Sequence, residues 1–203
     1  SMTPTIPSFY LKAAAGSSTM CPLQQPLDFV VTHQFEILLE SLEDTPEVEI
    51  AEIKLGQAMN KGVSWFDVMS EYCFETDVLY SVLFEDPEEH ACEGEYPGYR
   101  TGIDTMLVGA CHCSDILYIH STELADSMLG LAVLETLLDH SLCGVAALRL
   151  EGLLNPESPD YALAMTRKSQ LERIGFRQAE ESCFMLADLG AIRPSLMTPT
   201  QPV

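Results

Sequence analysis

His120 and Glu123 stand three residues apart just past a short apolar run, and either side chain can take a proton from a nucleophile as a general base. Tyr118, just before His120, and Tyr161, further along the chain, carry phenols that can return a proton to a leaving group. A few residues on comes Ser127-Met128-Leu129-Gly130-Leu131-Ala132, where a small-residue turn runs into helical spacing. At such a turn free backbone N–H groups and the helix dipole point the same way, which suits an anion. The same residue types also make an ordinary capped helix with nothing bound.

Other chemistries find less support. Cys111 and Cys113 would share one face of a strand with His112 opposite, and His90 and Cys92 lie upstream. There is no Cys-x-x-Cys pair and no zinc-site spacing, so no metal is expected. A phosphate-binding Walker loop, a Gly-x-Ser-x-Gly elbow and a His-Glu-x-x-His pair are all missing. The chain carries 31 acids against 10 Lys and Arg, a net charge of −21. Residues 36–95 hold 17 of the acids against only Lys54 and Lys61. A surface of that sign repels nucleic acid and anionic membrane and attracts a basic protein or a cationic substrate. Half of the basic residues (Arg149, Arg167, Lys168, Arg173 and Arg177) cluster in 149–177, where an anionic ligand meets least repulsion. No apolar run approaches the roughly 20 residues of a membrane span. Seven scattered cysteines without a secretion signal point to reduced thiols and a cytoplasmic protein.

The elements that must position these residues can be read from periodicity. Ile116-Leu117-Tyr118-Ile119-His120 reads as a buried strand. From Met128 the apolar positions Leu131, Leu134, Leu137 and Leu138 fall at helical spacing up to 140, with Asp126 or Ser127 as cap. Upstream, the Pro-containing residues 1–26 read as a flexible arm. Strands are expected over 28–40 and 48–59, with a turn at 43–46 between them. A helix capped by Ser64, with Asp67 as box partner, should run to Phe84. An acidic loop over 85–99 and a strand over 105–113 follow. Downstream come a strand over 145–150, a loop at 155–159, a helix over 161–173 and a strand over 184–189. The order predicts one α/β (α+β) domain over 27–190, with a mixed, mostly antiparallel sheet flanked by helices and a tail over 191–203.

Residues 104–189 resemble the GNAT family of acyl-CoA-dependent N-acyltransferases. Ser127-Met128-Leu129-Gly130-Leu131-Ala132 is similar to the second half of that family's Arg/Gln-x-x-Gly-x-Gly/Ala pyrophosphate turn. Cys143-Gly144-Val145-Ala146-Ala147-Leu148 resembles the turn and strand after the first helix, and Leu171-Glu172-Arg173-Ile174-Gly175-Phe176 the closing Gly-Phe motif. The resemblance implies acetyl-CoA or another acyl-CoA as cofactor, held at Ser127, Met128, Leu129, Gly130, Leu131 and Ala132. The pantetheine arm would lie along Ile119 to Ser121. It implies an amine acceptor, cationic given the acidic surface, with His120 or Glu123 as base and Tyr118 or Tyr161 as acid. The chain departs from the pattern at two positions: Ser127 replaces the motif's Arg or Gln, and Leu171 the frequent tyrosine. Two functions therefore stay open. One is a GNAT-like N-acyltransferase, the other a catalytically inactive GNAT-fold interaction protein whose acidic face binds a basic partner. Acyl acceptor, acyl chain and oligomeric state are open as well.

Overall fold

The expected strand at 116–120 lies inside a seven-stranded sheet. A computed structural model describes residues 6–15, 22–39, 47–85, 97–109 and 115–196. The strands are β1 (Phe9–Ala15), β2 (Val30–Leu39), β3 (Glu47–Ile53), β4 (Ile116–Ile119), β5 (Val145–Arg149), β6 (Phe176–Gln178) and β7 (Phe184–Asp188). They lie in the order β1-β2-β3-β4-β5-β7-β6, and every neighbouring pair is antiparallel except β4 and β5. The helices are α1 (Leu55–Asn60), α2 (Trp65–Tyr72), α3 (Phe74–Leu83), α4 (Thr101–Met106), α5 (Met128–His140) and α6 (Tyr161–Glu172). This is the mixed, mostly antiparallel α+β arrangement that the order of elements predicts.

Both faces of the sheet are covered at its centre. Leu117 and Ile119 pack on one side with α5 and α6, while Ile116 and Tyr118 pack on the other with α1 to α4. Alternate residues of a strand point to opposite faces, so a strand buried on both must be apolar throughout, as the four residues of β4 are. Parallel neighbours need a crossover, and α5 supplies it between β4 and β5. Ser127 caps α5, its hydroxyl accepting from the Gly130 N–H at 3.0 Å. A cap of this kind stabilises a helix by about 1 kcal/mol.

Several local readings change. Residues 9–15, expected within an unpaired arm, form an edge strand on β2, with Phe9 and Leu11 against the core and Tyr10 exposed. The second strand stops at Ile53, and residues 55–60 turn helical, burying Leu55 and Ala58 three apart. The expected helix from Ser64 to Phe84 is two helices. Cys73 between them is extended (φ −160°, ψ 165°), and the Thr76 hydroxyl donates to the carbonyls of Met69 and Cys73 at 2.6 and 3.1 Å. A threonine that bonds the backbone locally competes with the helical ladder, and here it holds the break. Ser64 does cap α2, accepting from Asp67 N–H. Thr105 and Met106, expected in a strand, end α4, which buries Ile103 and places Leu107 in the core one turn later. The short β6 had no periodic signal of its own. The turn at 43–46, most of the acidic loop expected over 85–99 and the end of the strand expected over 105–113 lie outside the described residues.

Gly130 sits where α5 crosses the 3₁₀ segment Thr122–Asp126. A Cβ added there would lie 1.9 Å from the Leu124 carbonyl oxygen, a backbone atom that cannot step aside. The glycine of the turn is thus required by packing. Gly102 differs, because its added Cβ would meet only the end of the Glu180 side chain. Gly130→Ala should lower the urea unfolding free energy by about 1–3 kcal/mol, the usual cost of overpacking, whereas Gly102→Ala should stay within about 0.5 kcal/mol.

Candidate functional site

The chemistry gathers where β4 and β5 part. Their ladder has three registered pairs and ends at Tyr118↔Ala147. Beyond it each strand continues only against its other neighbour, β4 through Ile119↔Ile50 and β5 through Arg149↔Phe184. Ile119 and Leu148 therefore leave an unshared backbone edge between the strand ends. On the α2–α3 side of this opening the chain presents Tyr118 from β4, His120 just past its end and Arg149 from the end of β5. On the α5–α6 side stands the N-terminus of α5.

Two hydrogen bonds organise the first side. The Tyr72 hydroxyl lies 2.6 Å from His120 Nε2, and the Tyr118 hydroxyl donates to Glu75 at 2.5 Å. The His120 ring meets both tyrosines edge-on, with centroids 5.7 Å from Tyr72 and 4.9 Å from Tyr118. Glu49 lies opposite on β3, its carbonyl accepting from His120 N–H at 3.0 Å. Burial first, then the charges of Cys73, Glu49 and Glu75, push the Tyr72 phenol up to about 12. Tyr118 is raised further, by burial and by its bond to Glu75. Both are firmly protonated phenols at neutral pH. His120, Tyr72 and Glu75 are half-buried, so the cluster is open to solvent on one side.

The second side is a helix N-terminus flanked by guanidinium groups. N1 to N3 of any helix lack an intrahelical acceptor. In α5 the Gly130 N–H is taken by Ser127, and no described hydrogen bond occupies those of Met128 and Leu129. Leu131 donates to the Ser127 carbonyl and, like Ala132, lies buried within the helix, so neither offers the N–H that the resemblance implies. Arg167 of α6 grips Asp126 through two 2.8 Å bonds and reaches Thr122 at 3.4 Å. This pairing holds the Asp126 carboxyl below the usual carboxylate range. Arg173 reaches the Met128 sulfur at 3.4 Å.

The remaining expected site residues are more scattered. Ser121 is buried, its hydroxyl accepting from Glu49 N–H at 2.8 Å, which ties the loop to β3. Glu123 is exposed on the 3₁₀ segment, where its charge acts on Arg167. Tyr161 opens α6, and no described hydrogen bond or ring contact joins it to His120. Periodicity passed over Tyr72 and Glu75, which flank the break at Cys73; the nearest signal was Thr76, a residue that often interrupts a helix. Among the described residues no group of three or more metal-ligating side chains comes together, and no helix is long and apolar enough to cross a membrane.

The raised phenols have a measurable consequence. A group whose folded pKa lies above its unfolded value stabilises the fold below the unfolded value and loses that contribution as pH rises through the folded one. For Tyr72 that window runs from about 10 to about 12. In an ultraviolet titration Glu75→Gln should let both Tyr72 and Tyr118 ionise at lower pH than in the wild type. An unchanged titration in that variant would contradict the cluster.

No family model, curated protein or solved structure matches this chain.

Proposed function

We propose that the chain is an acyl-CoA-dependent N-acyltransferase of the GNAT type, taking acetyl-CoA or a related thioester and an amine acceptor. The observation that carries the reading is the opening between β4 and β5, with an acid–base cluster on one side and a helix N-terminus on the other. Ligands of α/β sheets settle beyond the carboxyl ends of parallel strands, and these two are the only parallel neighbours among the described strands. A thioester whose pantetheine arm lay along the unshared edge of Ile119 would bring its carbonyl to the cluster. Its diphosphate would lie toward Met128 and Leu129 N–H.

The missing motif arginine has a replacement. Arg167 of α6 and Arg173 just after it bring positive charge to the α5 N-terminus, and Arg167 neutralises Asp126, which would otherwise repel a diphosphate. His120 is the group that takes the proton of the incoming amine. The protonated phenol of Tyr118 is bonded to Glu75, and Tyr161 lies at the start of another helix, so the acid that meets the departing thiolate is left to Tyr72 or water. The alternative of an inactive interaction protein draws on the acidic stretch alone.

Calorimetric titration with acetyl-CoA should show saturable binding. Gly130 is a poor probe, because its substitution disturbs packing first. Met128→Pro removes one N–H at N1, where proline fits a helix and the preceding Ser127 is already extended (φ −141°, ψ 159°). It should weaken binding several-fold relative to Met128→Ala, which loses the same side-chain packing but keeps the N–H. Absence of binding to the wild-type protein at millimolar acetyl-CoA would overturn the reading.

A further inference from the structure

The break between α2 and α3 brings two polar side chains to β4 that the helices do not need for their own packing. Their buried residues are Trp65, Val68 and Met69 on α2 and Thr76, Leu79, Tyr80 and Leu83 on α3. Tyr72 and Glu75 are half-buried, one on each side of Cys73, and each is spent on one residue at the end of β4: Tyr72 on His120, just past it, and Glu75 on Tyr118. A continuous helix would not have the extended residue that separates them. The edge-on contacts of both tyrosines with the imidazole leave its orientation little freedom.

We propose that Tyr72 and His120 form a two-member proton relay, and that Glu75, held by Tyr118, receives the ammonium group of a primary-amine substrate. For its chemistry this deepens the acyl-transfer reading; its geometry stands without it. A phenol donating to Nε2 fills the ring's basic lone pair, so a substrate proton reaches His120 through Tyr72. The ammonium N–H bond breaks and its proton passes to the Tyr72 oxygen as the Tyr72 proton moves to Nε2, leaving a neutral amine and an imidazolium. The amine lone pair then forms the bond to the acyl carbon, and the C–S bond breaks with its electron pair on sulfur. The proton still extra on nitrogen ends on that thiolate as a thiol, and the imidazolium returns its proton to water through Tyr72. A hydrogen bond to one ring nitrogen decides which tautomer a histidine holds, so Tyr72 also fixes His120 with its proton on Nδ1.

The test needs no acyl transfer. At mildly alkaline pH, ¹⁵N spectra should show His120, assigned by its loss in His120→Gln, with a bare, hydrogen-bonded Nε2. In Tyr72→Phe the two tautomers should mix, while the signals of His33 and His140 stay in place and report an intact fold. n-Propylammonium chloride should perturb His120 in the wild type and fail to do so in Glu75→Gln. With acetyl-CoA and propylamine, kcat/KM should fall about a hundredfold in Tyr72→Phe. Unchanged His120 nitrogen shifts in Tyr72→Phe, or equal responses to propylammonium in the wild type and Glu75→Gln, would overturn the relay. If both spectroscopic results hold and acetyl-CoA still gives no turnover, the acyl-transfer reading fails while the relay and its ammonium site stand.

Discussion

The parallel pairing of β4 and β5 is the constraint on which the rest depends. Three registered pairs in an otherwise antiparallel sheet require a crossover helix between two adjacent strands. That helix has to start close to where β4 ends, so the loop is short and folds as the 3₁₀ segment Thr122–Asp126. The close approach of loop and helix then demands a residue without a side chain at Gly130. The crossover covers one face of the sheet, and α1 to α4 must cover the other, because β4 and most of β5 are buried on both faces. The same pairing ends early, and its end is where the strands open toward solvent.

Charge is arranged around that opening in a way that composition alone does not convey. The chain is strongly acidic, yet the α5 N-terminus is attended by Arg167 and Arg173, and the nearest carboxylate, Asp126, is bound to the first of them. An exposed ion pair adds little to stability, roughly 0–1 kcal/mol. Its larger effect is to cancel a negative charge at a helix end whose dipole favours anions. On the opposite side, burial first and then nearby carboxylates, Glu49 and Glu75 at Tyr72 and Glu75 at Tyr118, raise both phenols. One side of the opening suits an anion and the other a cation.

Part of the site was legible before any coordinates. His120, the α5 cap at Ser127 and the strand leading to them follow from an apolar run, a period of about 3.6 residues and a capping side chain, all of which are local. Tyr72 and Glu75 were not, because their meaning lies in contacts 48 and 43 residues away along the chain. Gly130 was legible as a residue but not as a reason. A glycine that lets an anion approach and one that lets a backbone approach look the same in sequence, and only the position of Leu124 separates them.

The sequence by itself determined the fold class, because binary patterning and strand-versus-helix periodicity are set by neighbours a few residues apart. It also determined the core strands β2, β4, β5 and β7 and the helices α5 and α6, where those patterns are long or unbroken. Tertiary structure decided the rest. Phe9–Ala15 is a strand because β2 offers it an edge, and the helix after Ser64 divides at Cys73 because the Thr76 hydroxyl donates to the carbonyls of Met69 and of Cys73 itself. Where β4 and β5 separate was decided there too, since register between strands is a property of the pair.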